Sequence, residues 1–232
     1  MDKRLSYIAE NLRIVKERIG EAAEKSGRTA SSVELVAVTK TVEPERIQAA
    51  YELGLRNFGE NRVQELMGKL PLFEDVGWHM IGHLQTNKVK QIAGKVSLVQ
   101  SVDRMDAALV LAKEAGKLGI EIPVLVEVNI ADELSKFGVK PEKALEFVKE
   151  ITQIGNISVR GLMCVAPFVD NSEKNRLFFR KMFELFIDIR EKINNNVLMD
   201  VLSMGMTNDF AVAVSEGSTM VRLGSGIFGA RL

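Results

Sequence analysis

Cysteine and long apolar runs are the features that this sequence most lacks. Cys164 is the single cysteine among 232 residues, which rules out a disulfide within the chain and suits a reducing compartment. No apolar run approaches the about 20 residues of a membrane-spanning helix. The N-terminus is amphipathic and has no apolar core of the kind found in signal peptides. We therefore expect a cytoplasmic protein with no membrane segment.

Net charge and metal ligands are scarce as well. The 31 acidic and 31 basic residues give a formal net charge of zero, so nothing favours a nucleic-acid surface. The only histidines, His79 and His83, have no cysteine or carboxylate at the spacing of a zinc site. We expect neither a nucleic-acid partner nor a bound metal.

Apolar residues are plentiful, at 46% of the chain, and allow a large core. No proline- or serine-rich linker interrupts the sequence, which predicts a single domain over residues 1–232. An N-terminal helix is predicted before any strand, because apolar residues recur there every three or four positions until Gly27. We expect it to cover the bottom of the fold or to pack on its side. Its apolar face consists of Leu5, Ile8, Leu12, Val15 and Ile19.

Eight short apolar segments then alternate with helical patterns. The predicted strands span residues 33–39, 56–59, 77–81, 96–100, 123–129, 157–163, 197–202 and 218–223. The predicted helices span residues 44–54, 61–68, 87–93, 103–118, 141–154, 172–193 and 208–216. This alternation predicts a parallel sheet with right-handed crossovers, and eight units favour closure into a (β/α)8 TIM barrel. An open doubly wound sheet is the alternative, but the first strand is not followed by a G-x-G-x-x-G turn.

Residues 197–229 contain two turns of small residues, each directly after a predicted strand. The first is Ser203-Met204-Gly205-Met206-Thr207 and the second is Gly224-Ser225-Gly226. The loops after the last two strands of such a barrel commonly bind phosphate, because their backbone N–H groups point at the anion. The alternative is that these glycines only form tight turns. Two such turns at these positions favour a phosphate site.

Lys40 stands at the end of the first predicted strand, above an apolar run. A lysine amine among apolar neighbours has a lowered pKa and becomes a nucleophile that can form a Schiff base. The alternative is a lysine that simply reaches water. Together with a phosphate site, a reactive lysine is the arrangement that pyridoxal phosphate requires.

Arg222 lies near the end of the eighth strand. It can bind phosphate, hydrogen-bond a cofactor ring nitrogen or pair with a carboxylate. Strand alternation places Arg222 and Val221 on opposite faces, so one of them enters the barrel. Asn57 and Asn61 flank the end of the second strand, where each can cap a helix, and Asn61 can also line the site.

The remaining candidates have weaker signals. We expect His79, inside a strand, to be a barrel residue, and His83, in the loop that follows, to be able to reach the mouth. Cys164 ends the sixth strand with no base beside it, which favours a buried thiol. Tyr7 and Tyr51 both fall in predicted helices, so neither is an obvious second acid or base.

A series of motifs along nearly the whole chain resembles the pyridoxal phosphate homeostasis proteins in order and spacing. The resemblance implies the fold of the alanine racemase N-terminal domain, a (β/α)8 barrel with pyridoxal phosphate at its mouth. The segments are VAVTKT, FGENRVQE, WHMIGHLQTNK, SVDR, SKFG, RGLMC, LSMGMTND and GSTMVRLGSGIFGAR.

The resemblance also implies roles for individual residues. Lys40 is the expected Schiff-base lysine, Arg222 is expected to face the pyridine nitrogen, and Asn61 to lie near the ring. Two departures are visible: Ser225 stands where many members have threonine, and Glu133-Leu134 replaces a polar pair that often precedes Ser-Lys. The expected phosphate ligands are Ser203, Gly224, Ser225 and the backbone after Met204, which includes Gly205.

The resemblance implies a carrier or regulator of pyridoxal phosphate with no established turnover. The residues agree, because an arginine stays protonated and leaves the ring nitrogen unprotonated, which weakens the ring as an electron sink. A racemase needs a base on each face of its substrate, and only Lys40 is evident. An amino-acid racemase is the second hypothesis, and a lysine-dependent aldolase on sugar phosphates is the third. We expect a monomer, with pyridoxal-phosphate-dependent apo-enzymes as possible recipients of the cofactor.

Overall fold

Eight parallel strands form a closed barrel in the computed structural model, which describes residues 6–133, 136–193 and 197–229. Each strand pairs with the next, and β8 pairs with β1, so the predicted (β/α)8 barrel is confirmed. The strands are β1 (Glu34–Val38), β2 (Asn57–Glu60), β3 (Gly77–Met80), β4 (Leu98–Val102), β5 (Ile122–Glu127), β6 (Ile157–Met163), β7 (Val201–Ser203) and β8 (Met220–Leu223).

Helices surround the barrel, and local sequence signals set several of their ends. Pro44 and Pro141 open two of them, at positions where a helix needs no N–H donor. Gly119 ends another with a left-handed φ of 64°. The helices are α1 (Ser6–Lys25), α2 (Pro44–Glu52), α3 (Val63–Lys69), α4 (Val89–Ile92), α5 (Met105–Leu118), α6 (Pro141–Ile151), α7 (Arg176–Lys192), α8 (Phe210–Ser215) and α9 (Ser225–Phe228).

The N-terminal helix α1 packs on the side of the barrel and not across its bottom. It contacts α8, α9 and α2. Near its start the Tyr7 hydroxyl donates to the Phe228 carbonyl at 3.1 Å, and just beyond its end Arg28 Nη1 donates to the Ser218 carbonyl at 2.9 Å. Because α9 is only four residues long, α1 occupies the place of the eighth outer helix. Leu5, predicted on its apolar face, lies outside the described residues.

Most predicted boundaries differ from the structure by a few residues, and three of the differences have an evident structural cause. The strand predicted at 197–202 is shorter, because β6 bulges at Gly161 and β7 begins pairing only at Val201. The strand predicted at 96–100 begins two residues later, at Leu98. A turn around Gly94, whose φ is 73°, precedes it. The turn predicted at 224–226 enters α9, whose first backbone bonds run to the Gly224 carbonyl.

The barrel interior contains both apolar and polar side chains. Five apolar side chains pack inside the barrel, namely Val36, Leu98, Leu125, Met163 and Met220. Above and among them lie buried polar residues carried by the strands, namely His79, Gln100, Glu127, Ser203 and Arg222. Glu127 and Ser203 end β5 and β7 at the carboxyl end of the barrel, which we call its polar end. Within the described part of the chain, no helix has the length and apolar character needed to cross a membrane.

Candidate functional site

A cavity of about 410 Å³ opens at the polar end, and we call it the mouth cavity. Its size lies within the roughly 300–1,000 Å³ of small-molecule sites. The ends of β1, β6, β7 and β8 and their loops form its walls. The residues with chemistry to offer are Lys40, Thr207, Asp209, Arg222, Gly224 and Ser225.

Lys40 is half-buried, two residues beyond β1, and lines the mouth cavity. It also lines a smaller neighbouring cavity of about 220 Å³. The next residue, Thr41, has a φ of 60°, an uncommon left-handed conformation for a β-branched residue. Two bonds hold this turn: Thr41 N donates to Glu65 Oε2 at 2.9 Å, and Val42 N to the Thr39 carbonyl at 3.0 Å. The backbone around Lys40 is therefore fixed.

A buried ion pair lies behind this turn, between the barrel and α3. Lys69 Nζ donates to Glu60 Oε1 at 2.6 Å and to the Thr39 carbonyl at 2.7 Å. The Thr39 hydroxyl donates to the same carboxylate oxygen at 2.6 Å. Buried charges are tolerated when they are paired and hydrogen-bonded in this way. The cluster ties the end of β1 to β2 and α3.

Of the two neighbours Val221 and Arg222, Arg222 is the one that enters the barrel, and Val221 faces the helices. Arg222 is 4% exposed. Its Nη1 donates to Ser203 Oγ, and its Nη2 donates to the Cys164 carbonyl at 2.8 Å. Burial lowers the pKa of the guanidinium, although nearby acidic groups, Cys164 and Glu127 among them, oppose that shift. The guanidinium reaches the floor of the mouth cavity.

Glu127 ends β5 and is almost fully buried. Burial and the neighbouring Asp103 carboxylate raise its pKa to about 7, and Arg222 partly offsets this increase. Its strand lies opposite β1 in the eight-stranded ring. The polar end of the barrel thus holds a carboxyl group that titrates near neutral pH.

The two turns predicted to bind phosphate converge. Gly226 N donates to Thr207 Oγ1 at 3.1 Å, which joins the turn after β8 to the turn after β7. Gly205 has a φ of 96°, and a Cβ there would lie 2.9 Å from Phe210 Cα, so only glycine fits. Gly224 and Ser225 line the mouth cavity beside Lys40.

The first of these turns contributes less to the cavity than expected. Ser203 is fully buried beneath Arg222, where its hydroxyl donates to Gln100 Oε1 at 2.7 Å. Met204 is also fully buried and packs in the hydrophobic core. The first residue of this turn that lines the cavity is Met206, and residues 207–209 line it as well.

Asn61 and the histidines lie apart from the mouth cavity. Asn61 is half-buried after β2, and its backbone packs against Gly82. His79 is inside the barrel as predicted, and burial lowers its pKa to about 4. The His83 ring stacks on Phe137, with ring centroids 3.9 Å apart, and this pair lies beside the loops after β4 and β5.

Cys164 is buried, as the sequence predicted, and burial raises the pKa of its thiol to about 12. The tyrosines lie in α1 and α2, as predicted. No cluster of three or more metal-ligating side chains occurs among residues 6–133, 136–193 and 197–229. Leu134, one of the two residues expected to depart from the family pattern, and Ser135 lie outside the described residues.

The sequence analysis did not identify three residues around the site, namely Asp209, Gln100 and Glu127. Asp209 lines the cavity, where its carboxylate accepts from Asn175 Nδ2 at 2.8 Å and from Met206 N at 2.7 Å. The available signal was a polar residue in an apolar strand: Gln100 ends the predicted strand 96–100, and Glu127 lies inside the predicted strand 123–129. Their direction depends on register, and register shifts occur in both strand pairs of β5.

Comparison with known proteins decides the relationship. The alanine racemase N-terminal domain family matches residues 4–232. A protein of Aquifex aeolicus described as a pyridoxal phosphate homeostasis protein is 44% identical over 224 residues, which are 96% of this chain and 97% of the relative. The chain belongs to the pyridoxal phosphate homeostasis protein family.

Other members of the family agree in length and fold. The Haemophilus influenzae pyridoxal phosphate homeostasis protein is 40% identical over 228 residues, 97% of this chain and 96% of its own. The structure of PipY from Synechococcus elongatus, described as having PLP bound, has a TM-score of 0.83 and 30% identity, covering 96% of this chain and 100% of PipY. The relationship therefore spans the whole barrel.

Proposed function

We propose that this protein binds pyridoxal 5'-phosphate at the barrel mouth, as a Schiff base on Lys40, and serves intracellular vitamin B6 homeostasis without catalytic turnover. One observation carries the proposal: a single cavity is lined by Lys40, Arg222 and the glycine turn at Gly224. An amine, a guanidinium and an anion-binding turn are the donor set that an aldehyde, a ring nitrogen and a phosphate require. The names of relatives and the PLP-bound PipY structure support the same ligand.

Lys40 supplies the covalent link in this proposal. The cofactor, when bound, supplies an aldehyde carbon. Lys40 would hold the group through its amine: the nitrogen would bond to that carbon, and the aldehyde oxygen would leave as water with both amine hydrogens. No oxidant or reductant is needed, and the reaction is reversible by hydrolysis. Reversibility is what a carrier that gives up its cofactor requires.

The phosphate is proposed to lie where the two turns converge. Ser225 contributes its hydroxyl, and Gly224 allows close approach of the backbone. Because the Ser203 hydroxyl is bonded to Gln100 and Met204 N donates to the Met220 carbonyl, we propose that this turn contributes through the backbone after Met204, beginning at Gly205. Asn61 does not line the mouth cavity, and its proposed place near the ring is supported only by its position after β2, the strand next to β1.

Arg222 is proposed to face the ring nitrogen. The guanidinium carries donors only, so the nitrogen accepts a hydrogen bond and stays unprotonated. An unprotonated ring withdraws electrons weakly, which opposes racemisation or transamination. This is the chemical reason for proposing a carrier and not an enzyme.

Borohydride trapping tests the proposal. The protein is mixed with pyridoxal phosphate and reduced, so that hydride adds to the C=N carbon and fixes the cofactor as a secondary amine. We expect peptide mass mapping to place the added mass on Lys40 in the wild type and in Lys143→Ala, a control at an exposed lysine. Lys40→Ala should carry no specific adduct. An adduct spread over surface lysines in all three proteins would refute the proposal.

Asp209 is the observation that keeps the racemase hypothesis in view, because it places a carboxylate in the cavity that Lys40 lines. Both of its oxygens already accept hydrogen bonds from Asn175 and Met206, which favours a structural role. We expect loaded wild-type protein to racemise alanine or serine no faster than Lys40→Ala. A rate clearly above that control would establish turnover.

We also propose that residues 1–232 act as one domain in the cytoplasm, and that recipients of the cofactor are pyridoxal-phosphate-dependent apo-enzymes. The buried single cysteine suits a reducing compartment. Mixing loaded protein with an apo-enzyme that is inactive without the cofactor tests the transfer. Activity should return faster with loaded wild type than with an equal concentration of cofactor pre-mixed with Lys40→Ala.

A further inference from the structure

Beneath the mouth cavity, a chain of buried polar side chains crosses the barrel interior. Arg222 Nη1 donates to Ser203 Oγ, and Ser203 Oγ donates to Gln100 Oε1 at 2.7 Å. Gln100 Nε2 lies 2.9 Å from His79 Nδ1 and also donates to Met220 Sδ at 3.1 Å. The chain links β8, β7, β4 and β3, and its members are at most 4% exposed. We call it the interior chain.

The direction of every bond in the interior chain is fixed from its upper end. A guanidinium can only donate, so the Ser203 oxygen accepts and its hydrogen turns to Gln100. The amide must then present its oxygen to Ser203 and its N–H to His79 Nδ1. His79 is consequently neutral, with its proton on Nε2, 3.9 Å from Glu34 Oε1. Burial, which lowers the His79 pKa to about 4, agrees with this neutral form.

The interior chain restrains how Arg222 sits. Nη1 is held by Ser203 and Nη2 by the Cys164 carbonyl, so both ends of the guanidinium plane are fixed. A guanidinium has five N–H groups, and these two bonds use only two of them. Apolar side chains such as Val36 and Leu125 fill the interior around it, so a polar chain is not required for packing. Its upper end is the one member that reaches the mouth cavity.

We propose that Gln100 is a positioning residue that acts through Ser203 to fix the Arg222 guanidinium against a pyridine nitrogen bound in the mouth cavity. The inference rests on the proposed function for the ligand and adds a role for two residues that do not touch it. In this role Ser203 links Gln100 to Arg222 and does not bind phosphate through its hydroxyl.

Gln100→Met tests the inference, because methionine keeps the length of the side chain and removes its bonds to Ser203, His79 and Met220. We expect pyridoxal phosphate to bind about tenfold more weakly, as is typical when a hydrogen bond supporting a charged group is lost. We also expect a displaced absorption maximum for the bound cofactor. Leu125→Ala is the matched control: it removes interior packing but no polar contact, and should lower stability while leaving the spectrum unchanged.

Ser203→Ala and the double variant distinguish a positioning role of Gln100 from a general loss of stability. If Gln100 acts through Ser203, either single substitution breaks the same connection. The double variant should then bind pyridoxal phosphate no more weakly than the single variant with the lower affinity. Full additivity of the two losses, or wild-type binding and spectrum in Gln100→Met, would overturn the inference. A wild type that forms no adduct would instead overturn the proposed function.

A ligand-free measurement keeps the two failures distinct. Hindered rotation should give separate guanidinium N–H resonances for Arg222 in wild-type protein. Those resonances should average in Gln100→Met and in Ser203→Ala, and remain separate in Leu125→Ala. Separate resonances in both chain variants would show that the interior chain does not hold Arg222, whether or not the cofactor binds.

Discussion

Lys40 is held in place by residues that do not touch the cavity. The Lys69–Glu60 pair and the Thr39 carbonyl lock the strand end before it, and Thr41 holds the turn after it. One Glu60 oxygen is buried with no hydrogen-bond partner among the described residues, so this carboxylate depends on Lys69. The position of the proposed Schiff-base lysine is thus linked to a buried ion pair.

Lys69→Met should therefore be strongly destabilising. It leaves the Glu60 carboxylate buried and uncompensated, which costs about 3–5 kcal/mol of unfolding free energy. Adding Glu60→Gln should recover a large part of that loss, because the remaining amide carries no charge. Urea unfolding measures both, with the exposed Lys143→Met as control. A loss below about 1 kcal/mol in Lys69→Met would show that the pair does not anchor the turn.

Glu127 gives a second test at this scale, through pH. Its native pKa of about 7 lies above the ordinary glutamate value. The native state therefore holds a proton that the unfolded state loses, and its contribution to stability falls as pH rises from about 4.5 through 7. Above that range the native state carries the full cost of a buried carboxylate.

Glu127→Gln should remove this cost. We expect the variant to gain about 2–3 kcal/mol over wild type at pH 8 and little at pH 4. The difference between the two proteins isolates Glu127 from His79, whose lowered pKa acts in the opposite direction. Unfolding curves at both pH values measure it, with the exposed Glu146→Gln as control. A gain that is equal at both pH values would contradict the assignment.

The sequence analysis singled out Lys40 and Arg222 at or near strand ends, and it missed Gln100 and Glu127 within strands and Asp209 in a loop. Lys40 and Arg222 were identified because strand ends are where a barrel puts its chemistry. Gln100 was visible only as the last residue of a predicted strand. Gln100 faces inward because β4 lies two residues later than predicted and shifts register against β5. No local sequence pattern predicts either feature.

At the scale of elements, β6 depends on a single glycine. Gly161 has a φ of 152°, and a Cβ there would overlap the carbonyl of Val201 in β7. The β6 bulge and the close approach of β7 both require this missing side chain. The same approach places Ser203 beside Arg222.

Gly161→Ala should consequently unfold far more easily than wild type. A backbone overlap cannot be relieved by a side-chain rotation, so we expect a loss of at least about 3 kcal/mol. Gly155→Ala is the matched control in the turn before β6, where a Cβ meets open space, and should change stability by less than about 0.5 kcal/mol. Similar unfolding midpoints for the two variants would contradict this explanation of the bulge.

Element order was predictable, but the place of α1 was not. An amphipathic pattern identifies the face that a helix buries and not the surface that covers it. The helix α9 spans only four residues, between the turn at Gly224 and Gly229. It therefore leaves a position empty in the outer ring of helices. Only the assembled barrel shows that α1 fills the position.

At the scale of the whole molecule, we predict that the protein is a monomer. The closed barrel leaves no open sheet edge to pair with another chain. Sedimentation equilibrium should therefore give a mass near 25.7 kDa at micromolar concentration, with and without pyridoxal phosphate. A mass of twice that value, independent of concentration, would refute the prediction.

The most direct test of the account is the visible absorption spectrum of the protein with pyridoxal phosphate, before and after borohydride, beside Lys40→Ala. We predict a yellow wild type that borohydride bleaches, and a Lys40→Ala protein without this band. A wild type that stays colourless with added cofactor would contradict both the carrier and the racemase hypotheses. The lysine-dependent aldolase would then be the leading hypothesis, with a lysine trapped only when a carbonyl substrate is added.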